Sequence, residues 1–501
     1  MDKDLAVVFD CGSTNLTVVV VDASGRIVSD SSAPNGPVRQ PDKPADYSIW
    51  DVEGVWDRLA TACRCCIGDM DTDRLCGVTV TTWGADGAPA TADGRLLYPP
   101  ISWQDGRTHS LADQIAGDID PWRIYQLSGY QVISFNTLLK LRWLHDNEPE
   151  VLDRADYWLM MPGILGMLLS GEASLDATAA GTMMAMDMAS RTLSSELLQW
   201  AGVDAGLFPD LCEPGHIIDG VTAQAAECTG LPQGLPVIVA GHDTQFAAVG
   251  SGATPAEVIL SSGTWEILML RASEYRATRQ DFTDGLLIEA DAEAGRYNPQ
   301  LLMMGSGVIE WLRDQFFTDV SGREAGYGDM IAAAETIAPG SDGVTVIPSF
   351  VSDTGPLRRY ETAGTVLGLK LGTTRDHLYR ATLEGLSYQL RQALAILTRT
   401  SADQYQGLRV VGGGSKNLLW NQLRADVCGL PVTTIEQTEA TVLGAAMFAF
   451  VGAGIFPDIA TAQDAMVGAT QVFEPSVNAA AYEELFARYA ALPELLKPHY
   501  S

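Results

Sequence analysis

The sequence predicts an α/β protein made of two large domains of related fold that face each other. Three observations carry this. At 501 residues the chain is too long for one hydrophobic core, since single cores stop growing beyond roughly 250–300 residues. Two hairpins half a chain apart share one plan, and strand and helix signals are mixed along both halves.

The first hairpin pairs residues 5–9 with 16–21 through the turn Asp10-Cys11-Gly12-Ser13-Thr14-Asn15. The second pairs 257–260 with 265–270 through Ser261-Ser262-Gly263-Thr264. Small polar residues around a glycine suit tight turns. Two such hairpins are either a duplicated unit or a coincidence of short segments. Between them, residues 78–82 read as a strand, 110–117 as a polar amphipathic helix, and 137–145 as a helix with apolar residues at helical spacing. Residues 237–240 form a short buried strand that ends at Gly241 and leads into a helical run. In the second half, 305–317, 374–397 and 418–427 read as helices, and strand 408–411 runs into Gly412-Gly413-Gly414. The Gly/Ser/Thr-rich stretch 250–255 is the junction. The domains expected are therefore 1–250 and 251–475, followed by a helical tail, 476–501.

Composition excludes several classes. The chain is 47% hydrophobic and 19% charged, which is globular rather than disordered. Asp+Glu 63 against Lys+Arg 32 gives a net charge of −31, so nucleic-acid phosphates and anionic lipid are repelled. An anionic ligand must be held locally, by backbone N–H groups or a metal. Eight cysteines are too sparse for a disulfide scaffold. Cys63, Cys65, Cys66 and Cys76 lack metal-site spacing and a nearby histidine, and read as buried free thiols. The N-terminus shows no signal-peptide pattern. The longest apolar run, 443–456, is a buried helix, being shorter than the ~20 residues a membrane span needs. A cytoplasmic protein is expected.

No P-loop, GxGxxG or GxSxG motif occurs. What stands out is Gly-rich turns at strand ends. Asp10 beside Gly12-Ser13-Thr14 puts a carboxylate next to small donors that suit a polyphosphate and its cation; read locally, it is equally a capped hairpin. Gly241-His242-Asp243-Thr244 places Asp243 off the carboxyl end of a strand, where α/β sheets bind ligands, although an ordinary N-cap fits the same residues. Ser261 to Thr264 is a second phosphate-type turn, and the three glycines at 412–414 let a flat nucleoside ring approach the backbone. Two loops, Thr81-Thr82-Trp83-Gly84-Ala85-Asp86-Gly87 and Trp103-Gln104-Asp105-Gly106-Arg107, pair aromatic faces with hydroxyl-binding groups as sugar sites do. Core tryptophans in plain loops read the same way.

Taken together, these residues resemble the FGGY carbohydrate kinases from Asp10 to about Phe450. Residues 135–147 (FNTLLKLRWLHDN) fit one family signature, and 364–369 (GTVLGL) with His377-Leu378 and 381–384 (ATLE) fit the other. Within the family the likeness is to the kinases of L-fuculose, through 81–88, 96–103, 240–247, 260–269 and 410–423. The resemblance implies two actin-like, ribonuclease-H-type domains with the active site in the cleft. It implies ATP and Mg²⁺, and a ketose acceptor: L-fuculose first, with L-rhamnulose, D-ribulose or L-xylulose as alternatives. By the same analogy Asp243 is the catalytic base, and Asp10 with Asp243 anchors the metal. Gly12, Ser13 and Thr14 form the first phosphate turn and Gly263 with Thr264 the second. Gly413, Gly414 and Asn417 line the adenosine pocket, while Trp83, Asp86, Asp105 and His242 contact the sugar. Domain 1–250 would carry sugar and base, and 251–475 the nucleotide. Lys140 lies in the first signature with a structural role only. The expected partners are the ketose and ATP, with no nucleic acid and no membrane, and a homodimer left open. An actin-like ATP-driven switch without a sugar acceptor is the other class; the two tryptophan loops speak against it.

Overall fold

The computed structural model describes residues 3–318, 325–351, 362–400, 405–436 and 439–500. Two sheets dominate it. The first contains β1 (Leu5–Cys11), β2 (Asn15–Asp22), β3 (Ile27–Pro34), β4 (Leu75–Thr82), β5 (Ile217–Gly220) and β6 (Pro236–His242), in the spatial order β5-β6-β4-β1-β2-β3. The second contains β7 (Glu257–Ser262), β8 (Trp265–Met269), β9 (Leu287–Ala290), β10 (Tyr297–Met304), β11 (Gly407–Val411), β12 (Val432–Ile435) and β13 (Thr470–Phe473), in the order β9-β10-β8-β7-β11-β12-β13. In each, an antiparallel meander (β1-β2-β3; β7-β8-β10) continues into two parallel strands (β4, β6; β11, β12). The two hairpins are thus the first strands of a duplicated ribonuclease-H-type sheet.

Strand β1 is apolar along nearly its whole length because it is covered on both sides. Its alternation divides it between two cores. Leu5, Val7 and Phe9 enter one with helix α1 (Val52–Ile67) and helix α3 (Met161–Ser170). Ala6 and Val8 enter another with helices α7 (Ala440–Gly452) and α8 (Ile459–Met466). Cys63 and Cys66 point from α1 into the first of these cores, burial pushes both thiols up, and Cys65 is exposed. All eight cysteines are free.

A division at residue 250 therefore describes the sheets and not the helices. Helices α7 and α8 belong to the 251–475 segment, yet they bury Leu443, Met447 and Ile459 against the first sheet. Their apolar faces need a sheet to cover, and the first sheet has an open one. Helix α9 (Ala479–Leu496) is likewise no detached tail. Tyr482 and Tyr489 are buried with helices α5 (Arg375–Leu397) and α6 (Leu418–Cys428). The Tyr482 hydroxyl donates to Glu384 at 2.8 Å and accepts from Arg380 at 2.8 Å. The apolar run 443–456 stops being helical at Gly452, and no helix among the described residues is long and apolar enough to cross a membrane.

Helix α4 (Asp243–Gly250) follows β6 directly and crosses α7 at backbone contact. A Cβ on Gly444 would stand 2.0 Å from the Phe246 carbonyl oxygen, and one on Gly250 would stand 1.9 Å from that of Ala440. Phe246 and Phe448 meet edge to face beside the crossing, at 5.3 Å. Gly444→Ala is expected to destabilise by about 2 kcal/mol or more, because a backbone carbonyl cannot rotate away as a side chain does. Thermal denaturation should show a loss of several degrees for Gly444→Ala and almost none for Gly468→Ala, whose Cβ would meet nothing within 4 Å. Equal midpoints for the two would disprove the tight crossing.

Candidate active site

Each sheet carries a threonine-tipped turn between its first two strands. In the first, Gly12, Ser13 and Thr14 join β1 to β2, and Asn35 holds the turn from behind: its side-chain amide donates to Gly12 O at 2.8 Å and its N–H to Thr14 O at 2.8 Å. In the second, Gly263 and Thr264 join β7 to β8. Ser306 N–H donates to Gly263 O at 2.9 Å and Gly305 N–H to Thr264 O at 3.0 Å. Asn35 follows β3 and Gly305 follows β10, so the duplicated sheets hold their turns in the same way. Thr14 and Thr264 are both exposed.

Strands β1 and β6 both run parallel to β4, so Asp10, His242 and Asp243 gather at one sheet edge. Asp10 Oδ1 accepts from Thr81 Oγ1 at 2.9 Å. Burial, then the charge of Asp243, pushes the Asp10 carboxyl up to about 7. Asp243 opens α4. Its Oδ1 accepts from Thr244 N–H at 2.6 Å and lies 3.4 Å from His242 Nε2. Its other oxygen has no protein donor among the described residues, and about 30% of the side chain is exposed. Burial raises the Asp243 pKa against the opposing charge of His242. For His242, burial works against protonation, but Glu289, Asp243 and Asp176 outweigh it and raise the imidazole to about 9. No cluster of three or more His, Cys, Asp or Glu side chains suited to a metal occurs among the described residues. A cation here would take one or two carboxylates and share the rest of its shell with ligand oxygens and water.

The loop from β4 is a rigid frame. Ala85 sits at φ +67°, where a side chain is strained. Three groups hold it there: Thr182 Oγ1 accepts its N–H at 2.8 Å, while Thr137 Oγ1 and Lys140 Nζ, both of helix α2 (Thr137–Asn147), donate to its carbonyl at 2.9 Å each. The Trp83 ring packs against Trp50, centroids 4.1 Å apart. Asp86 was expected at the sugar and is not free for one. It is fully buried, ion-paired with Lys140, and accepts from Trp50 Nε1 at 2.6 Å, Trp83 Nε1 at 2.8 Å and Trp103 N–H at 3.1 Å. The buried charge draws in every donor around it. Asp105 is corrected for the same reason. It accepts from Ser48 N–H at 2.5 Å and Arg107 Nε at 2.7 Å, and Arg107 lies 4.1 Å over the Tyr47 ring. Lys140, given a structural role only, turns out to bind the Asp86 carboxylate that orients both indoles.

On the other side a cavity of about 190 Å³ is lined by Ser261, Gly412, Gly413, Lys416 and Thr441. A Cβ on Gly414 would stand 2.1 Å from Ser262 Oγ, so the triple-glycine turn lies flat against the second phosphate-type turn. Ser262 Oγ in turn donates to Glu266 at 2.8 Å and accepts from Arg424 at 2.6 Å, with the Arg424–Glu266 pair fully buried. Asn417 is first an N-cap: its Oδ1 accepts from Trp420 N–H at 3.1 Å, and its Nδ2 donates to Tyr379 OH at 3.0 Å. Larger cavities, of about 880 and 850 Å³, lie away from all the expected groups. Sequence reasoning missed Glu289, which contacts His242 Nδ1 at 3.2 Å. The available signal was a charge inside the apolar strand 287–290.

The descriptions "FGGY family of carbohydrate kinases, N-terminal domain" and "C-terminal domain" match residues 5–250 and 258–453. An L-fuculokinase of Escherichia coli K12 is 40% identical over 465 residues, covering 92% of this chain and 96% of the relative. A xylulose kinase of Lactococcus lactis is 25% identical, covering 95% and 94%. The crystal structure of a xylulose kinase from Rhodospirillum rubrum superposes with a TM-score of 0.86 at 24% identity, covering 99% of both chains. The two-domain actin-like fold is shared with it.

The raised Asp10 pKa has a testable cost. Its folded value of about 7 lies above the usual carboxylate value of 3.8. The folded state therefore binds the extra proton, and the penalty is absent below about pH 4 and complete above about pH 7. Asp10→Asn, in metal-free buffer, should be more stable than the parent by a few kcal/mol at most at pH 8 and equal to it near pH 4. Denaturant titration at the two pH values measures this; a variant no more stable at pH 8 would rule out the buried charge.

Proposed function

The chain belongs to the FGGY family of carbohydrate kinases, and we propose that within it the acceptor is L-fuculose, phosphorylated by ATP at the C1 hydroxyl. The proposed base is Asp243, supported above all by one observation: one of its oxygens is satisfied by Thr244 while the other has no protein donor among the described residues, in a side chain about 30% exposed. That free oxygen accepts the C1 hydroxyl proton as the C1 oxygen bonds to the γ-phosphorus and the bond to the β-phosphate oxygen breaks. The transition state is loose, so most of the work is positioning and neutralising spread charge. Gly12, Ser13 and Thr14 on one side and Gly263 and Thr264 on the other supply small donors to the phosphates. Gly413 and Gly414 take the adenosine, with Asn417 capping the helix beneath them. His242 and the Trp83 ring contact the sugar, while Asp86 acts only through the indoles it orients. Asp10 and Asp243 fit Mg²⁺, because the charge of Asp243 weighs on the buried Asp10 and a hard divalent ion relieves that repulsion. When bound, Mg²⁺ neutralises charge on the phosphate oxygens. Sugar and base fall to the 1–250 half, and nucleotide contacts to 251–475.

The 40% identity to an L-fuculokinase supports the sugar. L-Fuculose is a 6-deoxy ketose, so its only primary hydroxyl is on C1 and chemistry alone selects the position. Asp243→Asn should keep the fold and ADP binding while losing kcat on the order of 10²–10⁴-fold, as for a positioned general base. Near-normal turnover would remove Asp243 from the mechanism. Among ketoses, D-ribulose shares the configuration at C3 and C4 and lacks the terminal methyl, so its kcat/KM should fall roughly 10- to 200-fold. L-Rhamnulose keeps the methyl but inverts the C4 hydroxyl and leaves a buried partner such as His242 unpaired, so it should rank lower still. ADP formation across the panel decides this, and L-rhamnulose ranking first would overturn the L-fuculose assignment.

A further inference from the structure

Glu289 lies within β9 of the second sheet and is buried, yet the partners around its carboxylate among the described residues all come from the first half of the chain. Tyr130 donates its hydroxyl to Oε1, Gln245 Nε2 donates to Oε2 at 2.6 Å, and His242 Nδ1 stands 3.2 Å from Oε2. Asn298, opposite Glu289 in the β9–β10 register, adds a second link across the halves by donating to Gln245 Oε1 at 2.8 Å. We propose that Glu289 is a positioning residue of the transfer reaction, which reaches over the packed seam between the halves to hold the His242 ring against Asp243. The inference rests on the kinase reading above.

The geometry carries it in three steps. A buried carboxylate is costly without donors, and among the described residues the donors to Glu289 all come from the first half, against which β9 packs Leu287, Ile288 and Ala290. The His242 ring is then held from both sides: Nδ1 by Glu289, and Nε2 at 3.4 Å from Asp243 Oδ1. With Oδ1 committed to Thr244 and His242, the remaining oxygen of Asp243 is directed to the acceptor hydroxyl. The His242–Glu289 approach is close but off the hydrogen-bond line, and Nδ1 makes no aligned bond. Catalytic contacts are often loose before substrate binds and tighten in the loaded enzyme. Binding of sugar and ATP would align this one.

The test is a double-mutant cycle on kcat. Glu289→Gln and His242→Asn should each lower kcat by about 10- to 100-fold, with KM for ATP within about threefold of the parent. The double variant should be no slower than the worse single one, because the two residues act as one unit. Tyr130→Phe removes a donor from the same carboxylate without touching His242 and should stay within about threefold in kcat. Near-normal kcat in Glu289→Gln, or losses that multiply in the double variant, would overturn the proposal. Should Glu289→Gln not fold, Glu289→Asp enters the same cycle under the same criteria. Absence of ADP formation by the parent with every ketose would refute the kinase reading instead. In that event selective ¹⁵N-histidine labelling still decides on the contact: the His242 Nδ1 resonance should shift in Glu289→Gln, and an unchanged resonance overturns it.

Discussion

The cleft depends on two helices that touch backbone to backbone. Helix α4 begins with Asp243 and ends at the crossing with Gly250, about 12 Å of rigid helix in between at 1.5 Å per residue. Helix α7 begins at Ala440 and Thr441, on the wall of the glycine-lined cavity, and its first turn, Ala440 to Gly444, forms the other side of that crossing. The end of α4 therefore meets the start of α7 beside the cavity. The spacing between the carboxylate on one half and the cavity on the other is set by helix geometry and by two missing side chains. Loops have little part in it. This also explains why α7, late in the sequence, buries itself on the early sheet: the crossing needs a helix from each half on a common face.

Around that frame the protein places charges where they are costly and encloses them. Asp86 is surrounded by Lys140 and three N–H donors, Asp105 by Arg107 and Ser48, and Glu266 by Arg424 and Ser262. Such enclosed pairs add little net stability against apolar replacements, but breaking one of them strands its partner. Their use here is orientation. The first fixes the Trp50 and Trp83 indole rings, and the last fixes the join between the second turn and the triple glycine. Asp10 and Asp243 are the exceptions, since each retains a raised pKa and an incomplete donor set. In a protein of net charge −31, two underpaired carboxylates at one strand edge are a local preference for a cation.

Much of this was legible in the sequence, because the relevant signals are local. Tight turns need glycine and small polar residues, so Gly12 to Thr14, Gly263 to Thr264 and the 412–414 run stood out. A buried two-sided strand needs unbroken apolar residues, so β1 and β6 did too. The failures have equally physical causes. Asp105 and Arg107 were read as hydroxyl-binding groups, although two residues apart in a loop they satisfy each other. Asp86 looked available because its partner Lys140 lies 54 residues on. Glu289 answers to His242 and Tyr130, and no local pattern announces an interaction between the two halves. The placement of α7 is of the same kind: its apolarity says that it is buried, and says nothing of where.

Ala85 holds one further lesson. Its left-handed backbone is imposed from outside, by Thr137, Lys140 and Thr182, and not by the residues that flank it in the loop. Loop shape and loop chemistry are therefore under separate control. One neighbour is bound into that frame, because Lys140 serves both the Ala85 carbonyl and the Asp86 carboxylate. An enzyme built this way changes its acceptor through residues outside the frame, since losing Asp86 would strand the lysine that shapes the loop.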